Sequence, residues 1–412
     1  MSKQLPINLE MLRWARDTSG HPIEDVARKM KKDVETVRAW ENGRAFPTYI
    51  QLEKLASLYK RPIAMLFFPE PPNEEPLFHS FNTLPEHEAQ KIPPRIRYLI
   101  RKSKALQMNF SELHDGINPA SREIIKDLRF FSIADSAAMA QDVRKYLSVH
   151  LNTQKSWGSD KKVFDTWRET IERHGVLVFK YSFGAFRITD GKEDSREQAY
   201  SGFSLCDSDF PIICINSSKP VIQQIFTLFS ELAHLLMGSG GVSFDLSDDQ
   251  KLSEQYQRIK QHCTRFASEF LVPTSDFNER TEELVCNEES INKLAKSYGV
   301  GKELILRRFH EQKQCDSRYY REKISQWASE VRKENRLQEN AKANISEKSK
   351  SKRSQNFYSY KGAHLGRRYV EAVIVRHDQG DISDELAAEY LDVSPAKLSD
   401  VKDWLWKQKS AV

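Results

Sequence analysis

FTLFSELAHLL, residues 226–236, holds the side chains in this chain best spaced to do chemistry. Glu231 and His234 fill the second and last defined places of an H-E-x-x-H zinc-peptidase pattern, whose first place holds Ser230. Residues four apart share a helix face, so two histidines at that spacing can chelate one zinc ion while the glutamate holds the attacking water. The ion would lower the pKa of that water and polarise the scissile carbonyl. A serine hydroxyl is shorter than an imidazole and is a poor neutral zinc ligand. A Ser230–His234–Glu231 hydrolase triad is disfavoured as well, because the three lie on one rigid helical stretch without a strained elbow or oxyanion loop. Taken alone, E-x-x-H is a short pattern that a buried structural helix supplies equally well.

The elements that would position these groups are mostly helical. The 412 residues are enough for two or three domains, with 39% hydrophobic and 29% charged residues. Net charge is +5, from 63 basic and 58 acidic side chains, which permits nucleic-acid contact without demanding it. Five cysteines, none in a C-x-x-C pair, suit a reducing compartment, and no apolar run is long enough to cross a bilayer; a cytoplasmic protein is expected. Helical periodicity runs through 8–67, 94–114 and 121–150. VLVF, GFSL and PIICIN (176–179, 202–205, 211–216) read as strands, and GSGGVSFDLSDD as a loop between helices 221–237 and 251–271. KANISEKSKSKRSQN (342–356) reads as a flexible linker. LAKSYGVGKELILRRF and AAEYLDVSPAKLSDV share a helix–turn–helix cadence with the N-terminal stretch, a rhythm any compact helical hairpin produces.

GHPIEDVARKMKKDVETVRAWENGRAFPT (20–48) has the spacing of a DNA-reading helix–turn–helix. Val26, Ala27 and Met30 would bury the first helix, and Val37 and Trp40 the second. Asp33 can cap the second helix, leaving Val34, Glu35, Arg38 and Ala39 toward the groove. W-E-N-G-R-x-x-P here resembles the Xre/Cro repressor family, although the family's usual turn glycine is Lys31. The resemblance implies phosphate contacts from Lys31, Lys32 and Arg44, base reading by Glu35 and Arg38, and a homodimer on operator DNA.

From GVLVF (175–179) through IFTLFSELAHLLMG to CTRFASEFLVP (263–273), the chain resembles the ImmA/IrrE metallopeptidase family. RPIAMLFFPEPP, LGRRYVEAVI and DISDELAAEYLDV extend the match to Xre–ImmA/IrrE fusion proteins. In that family a second helix supplies a glutamate as third zinc ligand, and the resemblance puts Lys260 at its position. Ser230 and Lys260 then stand at two lost ligand positions, and Glu231 and His234 are vestigial. His262, two residues on, lies roughly 200° around the helix and points away. The expectation is a pseudo-metallopeptidase with no cofactor, in which the Lys260 ammonium either replaces the metal charge and pairs with Glu231 or snorkels to solvent while Glu231 bonds to nearby backbone. The alternatives are a zinc-dependent endopeptidase that cleaves a repressor or antitoxin, and a peptide-binding groove without hydrolysis.

Trp404 and Trp406 form an aromatic load at the C-terminal end, read either as core or as a partner-binding surface. The resemblance implies an antitoxin that binds a PIN-like nuclease toxin. The expected fold is mainly α with a small α+β unit. A five-helix Xre/Cro-like domain (1–68) is followed by a linker and helix (69–125), a zincin-like ImmA/IrrE domain with a short sheet (126–312), a charged connector (313–356) and C-terminal partner-binding helices (357–412).

Overall fold

The computed structural model describes residues 7–74, 90, 92–130, 135–157, 161–183, 188–189, 192–193, 200–244, 254–327, 329–330 and 362–409. The linker at 342–356, and His79 and His87, which offer no useful ligand spacing, lie outside them. The fold is mainly α with one small sheet. The chain divides into two compact units, one within residues 1–105 and 183–199, the other within 106–182 and 200–412.

The first unit opens with α1 (Leu9–Ser19), α2 (Ile23–Met30), α3 (Val34–Glu41) and α4 (Tyr49–Tyr59). The fifth helix expected here is a 3₁₀ turn, Ile63–Phe67, and its Leu66 is fully buried. Leu12, Ala15, Val26, Ala27, Val37, Trp40, Leu52, Leu55 and Tyr59 form the core, with Val34 and Met30 partly buried against it. Asp33 stands at the N-cap of α3 in extended conformation, yet its side chain makes no capping hydrogen bond. Thr48 instead builds a full capping box with Gln51 on α4. Glu41, an apparent surface charge in the sequence, is buried and takes Arg16 bidentately at 2.6 and 3.2 Å, tying α3 to α1.

A long helix, α5 (Pro94–Leu113), spans the division between the units. The expected helix over 121–150 is two separate ones, α6 (Ile124–Asp127) and α7 (Ser136–Leu147), the latter capped by Asp135. Then come α8 (Leu151–Ser156), α9 (Lys161–Arg173), β1 (Leu177–Tyr181), the short antiparallel pair β2 (Ile188–Thr189) and β3 (Lys192–Glu193), β4 (Tyr200–Leu205) and β5 (Ile212–Asn216). Next are α10 (Val221–Leu236), β6 (Gly241–Phe244), α11 (Glu254–Leu271), α12 (Thr274–Thr281), α13 (Glu288–Tyr298), α14 (Lys302–Glu311) and α15 (317–327). The sheet order is β1-β5-β4-β6, with β1 parallel to β5 and β4 antiparallel to β5 and β6. β6 corrects the loop expected over GSGGVSF: a four-residue edge strand behind a glycine run carries too little alternation to be read from sequence. α10 lies behind the sheet, and nearly its whole circumference is buried from Gln224 onward, which suits its apolar composition.

The last helices are α16 (Arg367–Asp378), α17 (Asp384–Leu391) and α18 (Leu398–Lys409). A buried ion pair on α9, Arg168 Nε to Glu172 Oε1 at 3.0 Å, fastens the strand-side end of this segment. Arg168 also donates to the carbonyls of Ala363 (2.7 Å), His364 (3.1 Å) and Val178, and Arg368 donates to the Glu172 carbonyl. Gly366 holds φ 86, and a Cβ there would collide with the Arg168 guanidinium. Tyr390 Oη donates to Glu112 at 2.7 Å and Arg376 Nε to the Leu113 carbonyl at 2.6 Å, securing the helices to the end of α5.

The three stretches that share the helix–turn–helix cadence also share one turn register. Lys31, Gly299 and Asp392 each hold a left-handed φ (54°, 68°, 53°) just past a helix, and Asp33, Gly301 and Ser394 sit two residues on at the next N-cap. Ala27, Ala295 and Ala388, four residues before those turns, are buried in all three.

Removing one member of a buried pair strands the other charge. Arg168→Met is expected to cost about 3–5 kcal/mol in denaturant unfolding of the second unit and to speed hydrogen exchange in α16–α18. Unchanged exchange there would show that the pair does not hold the segment.

Candidate functional site

α3 presents the expected DNA-reading residues. Lys31, Lys32, Glu35, Arg38 and Arg44 are exposed, whereas Val34 is partly buried against the core, because α3 packs its first turn inward. Arg38 Nη1 pairs with Glu35 Oε1 at 2.8 Å, both side chains open to solvent. An exposed pair of this kind is worth under about 1 kcal/mol, so freeing Arg38 for a base edge costs little. Lys31 takes the left-handed turn position without glycine, beside Lys32 and just ahead of α3.

The second site lies between α10 and α11. Glu231 is 0% exposed, and Ser204 Oγ on β4 donates to its Oε2 at 2.7 Å. Gly202 makes this approach possible, since a Cβ there would stand 2.7 Å from Thr227 Cγ2 on α10 and 2.9 Å from the Cys214 carbonyl. His234, also buried, has Nδ1 2.9 Å from Ser239 Oγ. Ser239 spends its one hydroxyl proton on the His234 carbonyl at 3.0 Å, so it must accept from Nδ1–H. The imidazole is thereby fixed as the Nδ1–H tautomer, with Nε2 carrying the lone pair. Burial, and then the Lys260 cation, push His234 down to about 3, so it is neutral at physiological pH. Lys260 is 8% exposed. Ser230 Oγ is buried without a hydrogen-bond partner among the described residues. His262 sits elsewhere, with Nδ1 3.4 Å from Ser136 Oγ on α7.

These donors do not fit catalytic zinc. At the two positions that the resemblance gives to further ligands stand Ser230, a hydroxyl, and Lys260, an amine whose positive charge lowers the His234 pKa. The buried Cys263 thiol is pushed well up by burial and by Glu231. Among the described residues no group of three or more His, Cys, Asp or Glu converges on a point that could hold a metal ion. The arrangement does suit a closed polar cluster in which serine hydroxyls orient an inherited carboxylate and imidazole. Ser204 and Ser239 escaped the sequence reading because a strand serine and a glycine-loop serine carry no pattern of their own.

Cys214 is buried within β5 and Cys206 is exposed beyond β4, both as free thiols. Trp404 lies over Gly362, where a Cβ would strike its ring, while Trp406 is 70% exposed. No helix among the described residues is long and apolar enough to cross a membrane.

His234 gives the pocket a pH signature. A histidine whose folded pKa lies below its unfolded value stabilises fully above about 6.5, and that stability is lost as pH falls toward the folded value, by about 1.4 kcal/mol per unit. Nitrogen-15 NMR of the imidazole is expected to show a neutral Nδ1–H ring down to about pH 4, and Ser239→Ala should release that tautomer. A ring titrating near pH 6.5 would contradict the enclosed geometry.

Two family models match stretches of the chain. Residues 12–66 match the helix-turn-helix family model and residues 171–310 the IrrE N-terminal-like domain. No match was found among curated proteins or solved structures. With α2–α3 inside the first match and Ser230 to Lys260 inside the second, the chain is a fusion of an Xre-like helix–turn–helix domain with an IrrE/ImmA-like domain.

Proposed function

We propose that the chain is a DNA-binding transcriptional regulator whose IrrE-like domain is a metal-free pseudopeptidase that binds a protein partner and does not cleave it. The observation that carries the reading is the buried Lys260 cation acting on His234 where a peptidase would gather anionic and neutral ligands. A cation in that place repels a metal ion and supplies the positive charge that a buried Glu231 needs. Pairing of Lys260 with Glu231 belongs to this reading. The N-terminal half of the proposal rests on the helix-turn-helix match and the exposed Lys31, Lys32, Arg38 and Arg44.

By its resemblance to fusion antitoxins, the partner is a PIN-like nuclease toxin. The reading assigns this contact to Trp406, which is 70% exposed, while Trp404 packs over Gly362. Domain limits at 68, 125, 312 and 356 and a homodimer on operator DNA are parts of the same proposal. The second reading, a zinc endopeptidase, is favoured by one feature: Glu231 and His234 keep hydroxyl partners that orient them as a catalytic pair would need.

Duplex binding tests the regulator. Arg38→Ala is expected to weaken the best sequence by about 1–3 kcal/mol and relax specificity, whereas Lys31→Ala should weaken all sequences alike and lower the salt slope by about one. Co-purification with the neighbouring gene product, lost on Trp406→Ala, tests the partner arm. Salt-independent binding, or binding indifferent to Arg38, would reduce the domain to a scaffold.

A further inference from the structure

We infer that Cys286 and Cys315 form a reversible oxidation site, at which a peroxide-class oxidant joins them in an intramolecular disulfide that staples α15 to the start of α13. Cys286 stands in the turn between α12 and α13, and Cys315 in the turn between α14 and α15. Both are free thiols of intermediate exposure, and both pack against the same core of the second unit. Their side chains are hydrogen-bonded to each other. Cys315 Sγ spends its one proton on the Asp316 carbonyl at 3.4 Å, so in this contact the Cys286 S–H donates to Cys315 Sγ.

A second tie holds the two turns together. Glu288, two residues past Cys286, takes Lys323 of α15 at 2.8 Å. Lys323 lies 5.9 Å over the ring of Tyr319, which packs on the same core and feels the charge of both thiols. A disulfide needs its sulfurs about 2.05 Å apart on Cα atoms about 4.4–6.8 Å apart. Sulfurs already in hydrogen-bond contact reach that length by side-chain rotation and a small loop adjustment, since neither cysteine lies within a helix. Cys214 and Cys263, by contrast, are buried.

Burial, foremost, pushes both thiols up. The hydrogen bond between them raises Cys286 and lowers Cys315, while Asp316 works against ionisation of Cys315, so Cys315 ionises first and attacks. Its thiolate takes one peroxide oxygen; the O–O bond breaks, and the departing hydroxide picks up a proton as water. Cys286 sulfur then attacks the Cys315 sulfenic acid; the S–O bond breaks, and the hydroxyl leaves as water with the Cys286 proton. Two thiols lose two electrons and two protons, and one hydrogen peroxide becomes two waters. A dithiol reductant reverses the bridge by exchange, and in a reducing compartment the pair stays open until oxidant arrives. Closure encircles residues 286–315, which hold α13 and α14, and fastens α15, whose Trp327 is buried in the core.

The test treats the full chain, purified reduced, with limiting hydrogen peroxide, then alkylates it and maps peptides by mass spectrometry without reduction. Wild type is expected to yield a Cys286–Cys315 cross-linked peptide that dithiothreitol removes, and to melt about 5–10 °C higher when oxidised. The cross-link should form about tenfold faster at pH 8 than at pH 7, because the thiolate fraction is small and grows with pH. Cys315→Ser should lack both the peptide and the melting shift. Cys286→Ser should lack them too and accumulate Cys315 sulfinic acid, which the missing resolving thiol no longer prevents. Absence of the cross-linked peptide in wild type, a bridge to Cys206 or between two chains in its place, or a melting shift that persists in either serine variant would each overturn the assignment.

Discussion

The constraint on which the IrrE-like domain depends is charge balance inside a sealed helix pair. α10 is buried almost all round, so Glu231 and His234 cannot borrow water to settle their charges. Each therefore carries its own hydroxyl partner, Ser204 on the adjacent strand and Ser239 just beyond the helix. Close strand–helix approach at Gly202 is what brings Ser204 within reach. On the proposed reading, the buried Lys260 of α11 supplies the positive charge that a metal ion would bring, while the groups that bind and activate a metal-bound water are withdrawn.

The same accounting governs the rest of the molecule. Arg168 and Glu172 are tolerated in the core because chain carbonyls from 363–364 and 178 absorb the remaining donors. Arg16 and Glu41 do for the helix–turn–helix what that pair does for the C-terminal helices.

Much of this was legible from residue order. The α3 face, the strands over 177–181, 200–205 and 212–216, and the helix carrying SELAH follow from periodicity, and the family matches agree with the resemblance carried by WENGR and SELAHLL. What escaped depends on long-range pairing. β6 exists because β4 offers it an edge, and Glu41 is buried because Arg16 lies across from it, neither of which local pattern encodes. Ser204 and Ser239 matter only once strand, helix and loop are assembled. The threefold turn register was audible as a cadence, but only the left-handed backbone at Lys31, Gly299 and Asp392 makes it one geometry.

The most direct measurement is the metal content of the purified full chain, compared with the Ser230→His, Lys260→Glu double variant after loading with zinc or cobalt. The account predicts no stoichiometric metal in the natural chain and a gain of tightly bound ion, with a tetrahedral cobalt spectrum, in the variant. One equivalent of zinc held by the natural chain and released on His234→Ala would contradict it.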